Sequence, residues 1–337
     1  MASDKQSLGR ATRGLGDAMG AGTMGDLTIE RDIEGFGSAR NVRASSDHVS
    51  LVFATDFGPR VLGFGPRRGG NVFGYVPPEE EGADTGAWRI RGGHRLWIAP
   101  EDRTRTYAPD NAPITWRTTG DGVVLGAGLD AAGFEKELAI TIDPAAPRVR
   151  IEHRITNHGG VTALAPWALS LMQQRGVAIV PSSTFVPHPE GLLPSRPLVL
   201  WPYTWLGDPR LTWGKSLVRV AQTPERAEPL KLGAFVEQGI AAYAVGGDLF
   251  VKRFPTGKGT YPDMGCNFEV FTDGRILELE SLGPLVTLGR GETVRHVEVW
   301  SVFRDVSISI EDAEAAPTLA RLDDLHTRRA QHAIARQ

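Results

Sequence analysis

Hydrophobic and polar residues alternate through most of the chain between residues 48 and 305. In the clearest run, Val149, Ile151, His153 and Ile155 fall on one side, and charged or polar residues fall between them. This period of two is typical of an antiparallel strand with one buried face. Turn sequences rich in glycine separate similar runs, at Val49–Thr55, Val123–Leu129, Phe134–Ile142, Ile240–Val245, Cys266–Phe271, Arg275–Glu280 and Val294–Phe303. The pattern predicts an all-β protein built as a large antiparallel β-sandwich.

The two ends of the chain differ from this middle part. Residues 1–25 contain six glycines and no contiguous apolar segment, which predicts a flexible tail rather than a secretory signal, and hence a cytoplasmic protein. Residues 26–308 are predicted to form the sandwich domain. After Pro317, Leu319, Leu322 and Leu325 recur at helical spacing. Residues 309–337 are therefore predicted to contain a short C-terminal helix that packs on the domain.

Charge and composition narrow the classes of partner. The net charge of -3 gives no strong attraction to nucleic acid or to an anionic membrane, and no apolar run is long enough to span a bilayer. The 40 glycines and 23 prolines favour many turns over a helical bundle. The single cysteine, Cys266, excludes an intrachain disulfide and a zinc site with two cysteine ligands.

The most informative segment, residues 266–280, has the pattern of a hairpin that gathers carboxylates. Asp273-Gly274 between two alternating runs predicts a two-residue turn. That register places Glu269 opposite Glu278 and Asn267 opposite Glu280. The hydrophobic residues between them would then point into the core.

Facing carboxylates destabilise a sheet unless something compensates their charge. The compensation could be a cation, a basic side chain such as Lys252 or Arg95, or a raised pKa on one glutamate. The alternative is a solvated face on which the glutamates splay apart. A carboxylate held among others is also how a protein builds a general base or an acceptor for sugar hydroxyls.

Several motifs, in this order along the chain, resemble the aldose 1-epimerase (galactose mutarotase-like) superfamily. Gly58-Pro59-Arg60-Val61 is similar to an early turn of that family, and Ile155-Thr156-Asn157 through Ala165-Pro166-Trp167 to its middle segment. Leu279-Glu280-Ser281, with the Gly-Pro and Gly-Arg-Gly-Glu turns that follow, resembles its late motif. The segment from Gly92 to Glu101 is closer still to an uncharacterised branch of the superfamily. The likeness covers roughly residues 30–305.

This resemblance implies a β-supersandwich fold that binds a small-molecule sugar or sugar derivative. It also implies that Glu280 is the counterpart of the catalytic base, and that no organic cofactor is needed. The mutarotases of the family carry a histidine as general acid in the middle segment, where this chain has Ala165-Pro166-Trp167. The acid must therefore come from elsewhere.

His94 is the first substitute for this acid, because a Gly-Gly turn precedes it and imidazole titrates near neutrality. A structural histidine bonded to the backbone is the alternative reading. His153, on the apolar side of its strand, is predicted to be a hydrogen-bonded core residue. Lys252, which shares a face with two phenylalanines, is predicted to pair with the glutamates or to lie at a sheet edge. Residues predicted to bind substrate are Arg95, Trp97, Glu101, Trp167, Lys252, Asn267, Glu269 and Glu278; Trp201 and Trp205 are further stacking candidates.

Three functions fit these residues. The first is a sugar isomerase in which Glu280 deprotonates the anomeric hydroxyl and His94 protonates the ring oxygen. The second is a carbohydrate-binding module that keeps the fold without the chemistry. The third is a metal-assisted lyase or isomerase, in which Glu269, Glu278 and Glu280 hold calcium or magnesium.

Overall fold

The computed structural model describes residues 22–24, 27–82, 85–183, 185–306 and 319. Within these ranges the chain forms strands and one short 3-10 helix, Pro78–Glu80, and Leu319 is also helical. The strands are β1 (Gly22–Met24), β2 (Leu27–Gly35), β3 (Ser38–Ser45), β4 (Val49–Ala54), β5 (Arg60–Pro66), β6 (His94–Ala99), β7 (Thr115–Thr118), β8 (Gly122–Gly126), β9 (Phe134–Ile142), β10 (Arg148–Asn157), β11 (Thr162–Met172), β12 (Val177–Pro181), β13 (Leu198–Leu200), β14 (Leu211–Trp213), β15 (Leu217–Ala221), β16 (Leu230–Ala234), β17 (Ile240–Val245), β18 (Asp248–Arg253), β19 (Phe268–Thr272), β20 (Leu277–Leu282), β21 (Val286–Leu288) and β22 (Thr293–Arg304).

These strands form two antiparallel sheets. The larger sheet has twelve strands in the order β1-β2-β3-β4-β5-β6-β11-β20-β19-β16-β13, with β21 paired to β11. The smaller has ten, in the order β14-β15-β12-β17-β18-β22-β10-β9-β8-β7. The predicted all-β antiparallel sandwich is confirmed. In the part of the chain that the structure describes, no helix is long and apolar enough to cross a membrane.

The main core lies between the two sheets. In β10, the predicted apolar side of Val149, Ile151, His153 and Ile155 is buried, and Arg150 on the other side is exposed. Aromatic rings pack edge to face at the centre of this core, among them Phe64, Phe73, Phe250 and Trp300. The alternation of the sequence therefore corresponds to the two faces of this strand.

The predicted register of the carboxylate hairpin is wrong by two residues. Thr272 pairs with Leu277, so that Glu269 lies opposite Glu280, and Glu278 opposite Phe271. The turn contains four residues rather than two, because Asp273 Oδ1 accepts hydrogen bonds from the backbone N–H groups of the two residues that precede β20. Since a shift of two positions does not change which face a side chain takes, the three glutamates still share one face.

The described residues reach only part of the two predicted terminal segments. Gly22–Met24, within the predicted tail 1–25, pairs with β2 as strand β1. Leu319 is helical and buried against Ile179, Leu217 and Leu249 of the smaller sheet. The rest of the helix predicted for 309–337, like the rest of the predicted tail, lies outside the described residues.

Candidate functional site

Strand β6 carries residues to both faces of the larger sheet. His94 contacts His153 of β10, so its side chain lies between the sheets. The next residue, Arg95, contacts Glu278 on the face turned away from the smaller sheet. Because side chains alternate along a strand, Trp97 shares this outer face. The outer face is where most of the predicted site residues meet.

A lysine joins two buried glutamates on this outer face. Lys231 of β16 places Nζ 2.8 Å from Glu269 Oε2 and 2.9 Å from Glu280 Oε2. The indole Nε1 of Trp167 donates a hydrogen bond of 3.0 Å to the same Oε2 of Glu280. All four residues are buried. Lys231 is therefore the basic side chain that compensates the facing carboxylates, in place of the predicted Lys252.

The charges of this cluster do not balance if both glutamates are ionised. Burial raises the pKa of Glu269 well above its ordinary value, although the nearby Lys231 ammonium opposes that shift. Burial raises the pKa of Glu280 in the same direction. For Lys231, burial lowers the pKa, but attraction to Glu280 and Glu269 outweighs it and raises the pKa overall. These shifts favour a charged lysine and a proton on one of the two carboxyl groups, and the larger rise is that of Glu269.

A second ion pair lies beside the first. Arg95 binds Glu278 through both terminal nitrogens, at 2.6 and 3.4 Å. Its guanidinium also lies over the ring of Trp97, 4.1 Å from the centroid. Tyr107, whose ring is 4.9 Å from that of Trp97, donates a hydrogen bond of 2.5 Å to Glu101. The predicted residues Arg95, Trp97, Glu101 and Glu278 thus belong to one group of contacts.

Aromatic side chains cover the lysine. Nζ of Lys231 lies 4.6 Å from the ring centroid of Trp167 and 4.7 Å from that of Trp201, which follows β13. Tyr203, two residues further along, is partly exposed; burial raises its pKa to about 12, Lys231 lowers it, and Glu280 adds to the rise. Trp205 is mostly exposed. Two of the tryptophans predicted to stack on a sugar therefore flank the ammonium.

The inner face of the same strands carries a separate, fully buried polar network. His94 Nε2 lies 2.7 Å from His153 Nε2, and His94 Nδ1 lies 2.9 Å from the Ser170 hydroxyl. His153 donates from Nδ1 to the carbonyl of His296. Burial lowers the pKa of both rings and so favours their neutral forms, in which His153 Nε2 accepts the proton of His94 Nε2. The predicted hydrogen-bonded core role of His153 is confirmed, and His94 lies on the face opposite Glu280.

Lys252 also belongs to this inner network, and neither of the two positions predicted for it is correct. Its side chain is fully buried, with Nζ 2.9 Å from Glu298 Oε1 on β22. The same ammonium donates hydrogen bonds to the carbonyls of Ala168 and Leu279, at 3.3 and 3.1 Å. Lys252 therefore neither pairs directly with the outer glutamates nor lies at a sheet edge.

The side chain of Asn267 forms hydrogen bonds with the backbone and not with the outer cluster. Its Oδ1 accepts a hydrogen bond of 2.7 Å from the N–H of Val236, and its Nδ2 donates one of 3.2 Å to the carbonyl of the same residue. The amide therefore holds β19 to the segment after β16. Its predicted position opposite Glu280 is wrong.

The predicted metal ligands are already paired with basic side chains. Glu269 and Glu280 contact Lys231, and Glu278 contacts Arg95. Within the described residues, the group whose ligand atoms lie close enough for a metal is instead His94, His153 and Glu298. The two imidazole nitrogens there lie at hydrogen-bonding distance, and Lys252 supplies a positive charge to Glu298. Both features are those of a hydrogen-bond network.

Solved structures share this arrangement of strands. A TPR-domain containing protein from Parabacteroides distasonis matches with a TM-score of 0.53 and 12% identity, over 80% of this chain and 48% of that chain. The YeaD protein of Salmonella typhimurium, described as a candidate mutarotase, matches with 0.51 and 11%, over 82% and 94%. A galactose mutarotase-like protein from Lactobacillus casei matches with 0.50 and 9%, over 78% and 100%. The chain has the galactose mutarotase-like fold.

At these identities the likeness concerns the fold alone. The chain spans about half the length of the Parabacteroides protein, 48% of that chain. No protein-family model matches the chain, and no curated protein matches its sequence. The galactose mutarotase-like fold predicted from the motifs is confirmed by this comparison.

Two buried charged residues of this chain, Lys231 and Glu298, were not predicted from the sequence. Lys231 lies in Leu230-Lys231-Leu232-Gly233, where alternation places the lysine and the glycine on one face. Glu298 lies between two valines of β22 in the same way. A charged residue with an apolar residue on each side of it within a strand is the signal that could have identified both, because such residues are rarely buried without a partner.

Proposed function

We propose that this chain is a carbohydrate-active protein that isomerises a sugar at its anomeric carbon by acid–base catalysis. The observation that carries the proposal is the position of Lys231 between Glu269 and Glu280, at 2.8 and 2.9 Å. One ammonium balances one carboxylate, so the second carboxyl group keeps its proton. The pair offers a proton acceptor and a proton donor side by side.

The chemistry of ring opening requires the two groups to be close together, because the anomeric hydroxyl and the ring oxygen are bonded to the same carbon. Glu280, as carboxylate, takes the hydroxyl proton, and Glu269, as carboxylic acid, gives a proton to the ring oxygen. The bond from the anomeric carbon to the ring oxygen breaks as the carbonyl forms. Rotation of the open aldehyde followed by the reverse proton transfers gives the other anomer. In this scheme Glu269 takes the role first predicted for His94.

The proposed mechanism requires a local movement of the chain, because the two carboxyl groups are buried. Glu269 and Glu280 are 0% and 1% exposed, and Trp201 lies against the Lys231 ammonium. In this proposal the segment that carries Trp201 moves aside to admit a sugar to the carboxyl groups. The indole faces that now flank the ammonium then become available to the C–H face of a sugar.

Sugar binding without turnover is the second candidate function. The burial of both carboxyl groups favours it, and so does the placement of His94 and Lys252 between the sheets rather than beside Glu280. In this case the charged and aromatic side chains of the outer face recognise a sugar, and no proton is transferred.

Anomer exchange measured by NMR distinguishes the two functions. A panel of aldoses is followed with the wild-type protein, Glu280→Gln and Glu269→Gln. Catalysis predicts faster exchange of at least one aldose than in buffer, and a loss of at least a hundredfold in either variant. Glu225→Gln, which removes an exposed partner of Arg175, is the control and keeps the wild-type rate.

Calorimetry on the same panel decides between the remaining outcomes. Saturable binding with no acceleration by the wild-type protein contradicts the isomerase and supports the binding function. Neither binding nor acceleration contradicts both. Acceleration that survives Glu280→Gln contradicts the assignment of the base.

A further inference from the structure

A separate cavity lies beside β6, at the side of the larger sheet. Strand β5 pairs with β6 only through Arg60 and Val61, so the edge of β6 beyond Arg95 faces loops 108–113 and 127–130. The space between them is about 110 Å³. A single water requires roughly 10–15 Å³ of such space, so the cavity can hold a ligand of several non-hydrogen atoms. None of Lys231, Glu269 and Glu280 lines it.

The apolar wall of this cavity is aromatic. Trp88 and Trp97 both line it, with ring centroids 4.8 Å apart and planes inclined by 60°. Proline and alanine residues from loop 108–113 form much of the facing side. Indole faces of this kind suit the C–H face of a polyhydroxylated molecule.

Two polar atoms of the lining residues have unused hydrogen-bonding capacity. Arg95 is 2% exposed, and its Nε–H finds no acceptor among the described residues. Asp130 Oδ1 accepts hydrogen bonds from the backbone N–H groups of Ala132 and Phe134, and its Oδ2 lies 3.2 Å from the ammonium nitrogen of Lys136. Buried polar atoms without partners are costly. The cavity thus presents one free donor, Arg95 Nε, and one carboxylate oxygen, Asp130 Oδ2, that pairs with Lys136 and can accept a further hydrogen bond.

The charges around the cavity are balanced. Arg95 is paired with Glu278, and Lys136 lies 3.2 Å from Asp130. Asp110, which also lines the cavity, binds Arg60. Each cation already has an anionic partner, so a phosphate or carboxylate would have to compete for it. The lining therefore favours a neutral ligand.

We propose that this cavity binds a small neutral polyol, separately from the carboxylate cluster. One ligand hydroxyl accepts the hydrogen bond of Arg95 Nε, another donates to Asp130 Oδ2, and the carbon chain packs on Trp88 and Trp97. This site does not depend on the proposed anomer exchange. Alditols test it selectively, because they have no anomeric centre and cannot be substrates for that reaction.

A cavity-filling substitution provides the sharpest test. Gly128 lines the cavity, and a Cβ added there meets no atom within 4 Å, so Gly128→Phe adds a ring at the wall of the cavity without a clash. Gly120, in the turn between β7 and β8, is equally open and does not line the cavity. Gly120→Phe is therefore the matched control. Asp130→Asn is the second variant, because it removes the carboxylate charge, together with its ion pair to Lys136, and leaves the volume nearly unchanged.

The measurement is calorimetric titration with glycerol, erythritol, xylitol and sorbitol, and with sorbitol 6-phosphate as the anionic comparator. We expect saturable binding of at least one alditol by the wild-type protein and by Gly120→Phe. Gly128→Phe abolishes it, and Asp130→Asn weakens it about tenfold. The proposal is overturned if no alditol binds, if binding survives Gly128→Phe, or if the phosphate binds more tightly than the neutral alditols.

Discussion

Glu269 lies directly opposite Glu280 on the neighbouring strand, with both carboxyl groups buried. Like charges in such a cross-strand pair destabilise a sheet. Lys231, from the strand on the other side of β19, supplies the compensating ammonium. The stability of this part of the fold therefore depends on one lysine.

Replacement of this lysine is predicted to be strongly destabilising. Lys231→Met leaves the two carboxyl groups without their cation, and removal of one partner from a buried ion pair typically costs roughly 3–5 kcal/mol. Without the ammonium, the pKa values of Glu269 and Glu280 lie still further above their unfolded values. Groups of this kind take up protons on folding, so the variant recovers stability as the pH falls. Urea unfolding at pH 7 and pH 5 measures both effects.

Lys258→Met is the matched control, because this lysine is exposed. It is expected to unfold at the wild-type urea concentration. The central role of Lys231 is disproved if its substitution costs no more than that of Lys258. A loss that is the same at both pH values would show that the carboxyl groups do not interact as described.

The buried histidines predict a loss of stability in acid. Burial lowers the pKa of His94 well below its usual value, lowers that of His153, and lowers that of His296 to about 3. Unfolded histidine titrates near pH 6.5. The contribution of the neutral rings is therefore complete above about pH 6.5 and is lost as the pH falls toward the folded values, by up to about 1.4 kcal/mol per pH unit for each ring.

The buried carboxyl groups of Glu269 and Glu280 have raised pKa values, so they increase the free energy of unfolding as the pH falls. Comparison of variants separates the contribution of the histidines from this opposite effect. His296→Gln keeps a donor for the hydroxyl of Ser281 and removes one titrating ring. Its free energy of unfolding should fall less steeply between pH 6.5 and pH 4.5 than that of the wild type. His158→Gln, at a half-exposed position outside the buried network, is the control. Equal slopes for all three proteins would contradict the prediction.

The ion pair of Lys252 with Glu298 predicts a specific result in a double-mutant cycle. Lys252→Met leaves a buried carboxylate unpaired, and we expect a loss of roughly 3–5 kcal/mol. Glu298→Gln in the same chain removes that charge and should restore most of the loss, giving a coupling energy well above zero. Urea unfolding of the four proteins measures it. A double variant no more stable than Lys252→Met would show that the charge is not the cause.

The inner and outer faces of the site strands could not be distinguished from the sequence. Every residue of β6 and of β20 is buried, because an outer cluster covers one face and the core the other. Alternation then indicates which residues share a face but not which face is the core. This is why Glu269, Glu278 and Glu280 were grouped correctly, whereas His94 and Lys252 were joined to them although they lie on the other side.

The partner of the glutamates could not be predicted for a different reason. Lys231 is 49 positions from Glu280 in the chain and meets it only because β16 pairs with β19. Local patterns predict hairpins between consecutive strands, and they carry no information on which distant strand completes the sheet. The order of the motifs did predict the fold, because the motifs are spread over most of the chain and do not depend on the pairing of any two strands.

Calcium and magnesium are predicted to leave the melting temperature of the wild-type protein unchanged. A ligand that binds the folded state raises this temperature, but each of the three carboxyl groups that would bind the metal is already paired with Lys231 or Arg95. Lys231→Gln removes one competing cation and keeps a polar side chain, so this variant should gain a calcium-dependent rise. A rise in the wild-type protein that Glu278→Gln or Glu280→Gln abolishes would instead support the metal-assisted function, because it would show that the ion displaces the basic side chains.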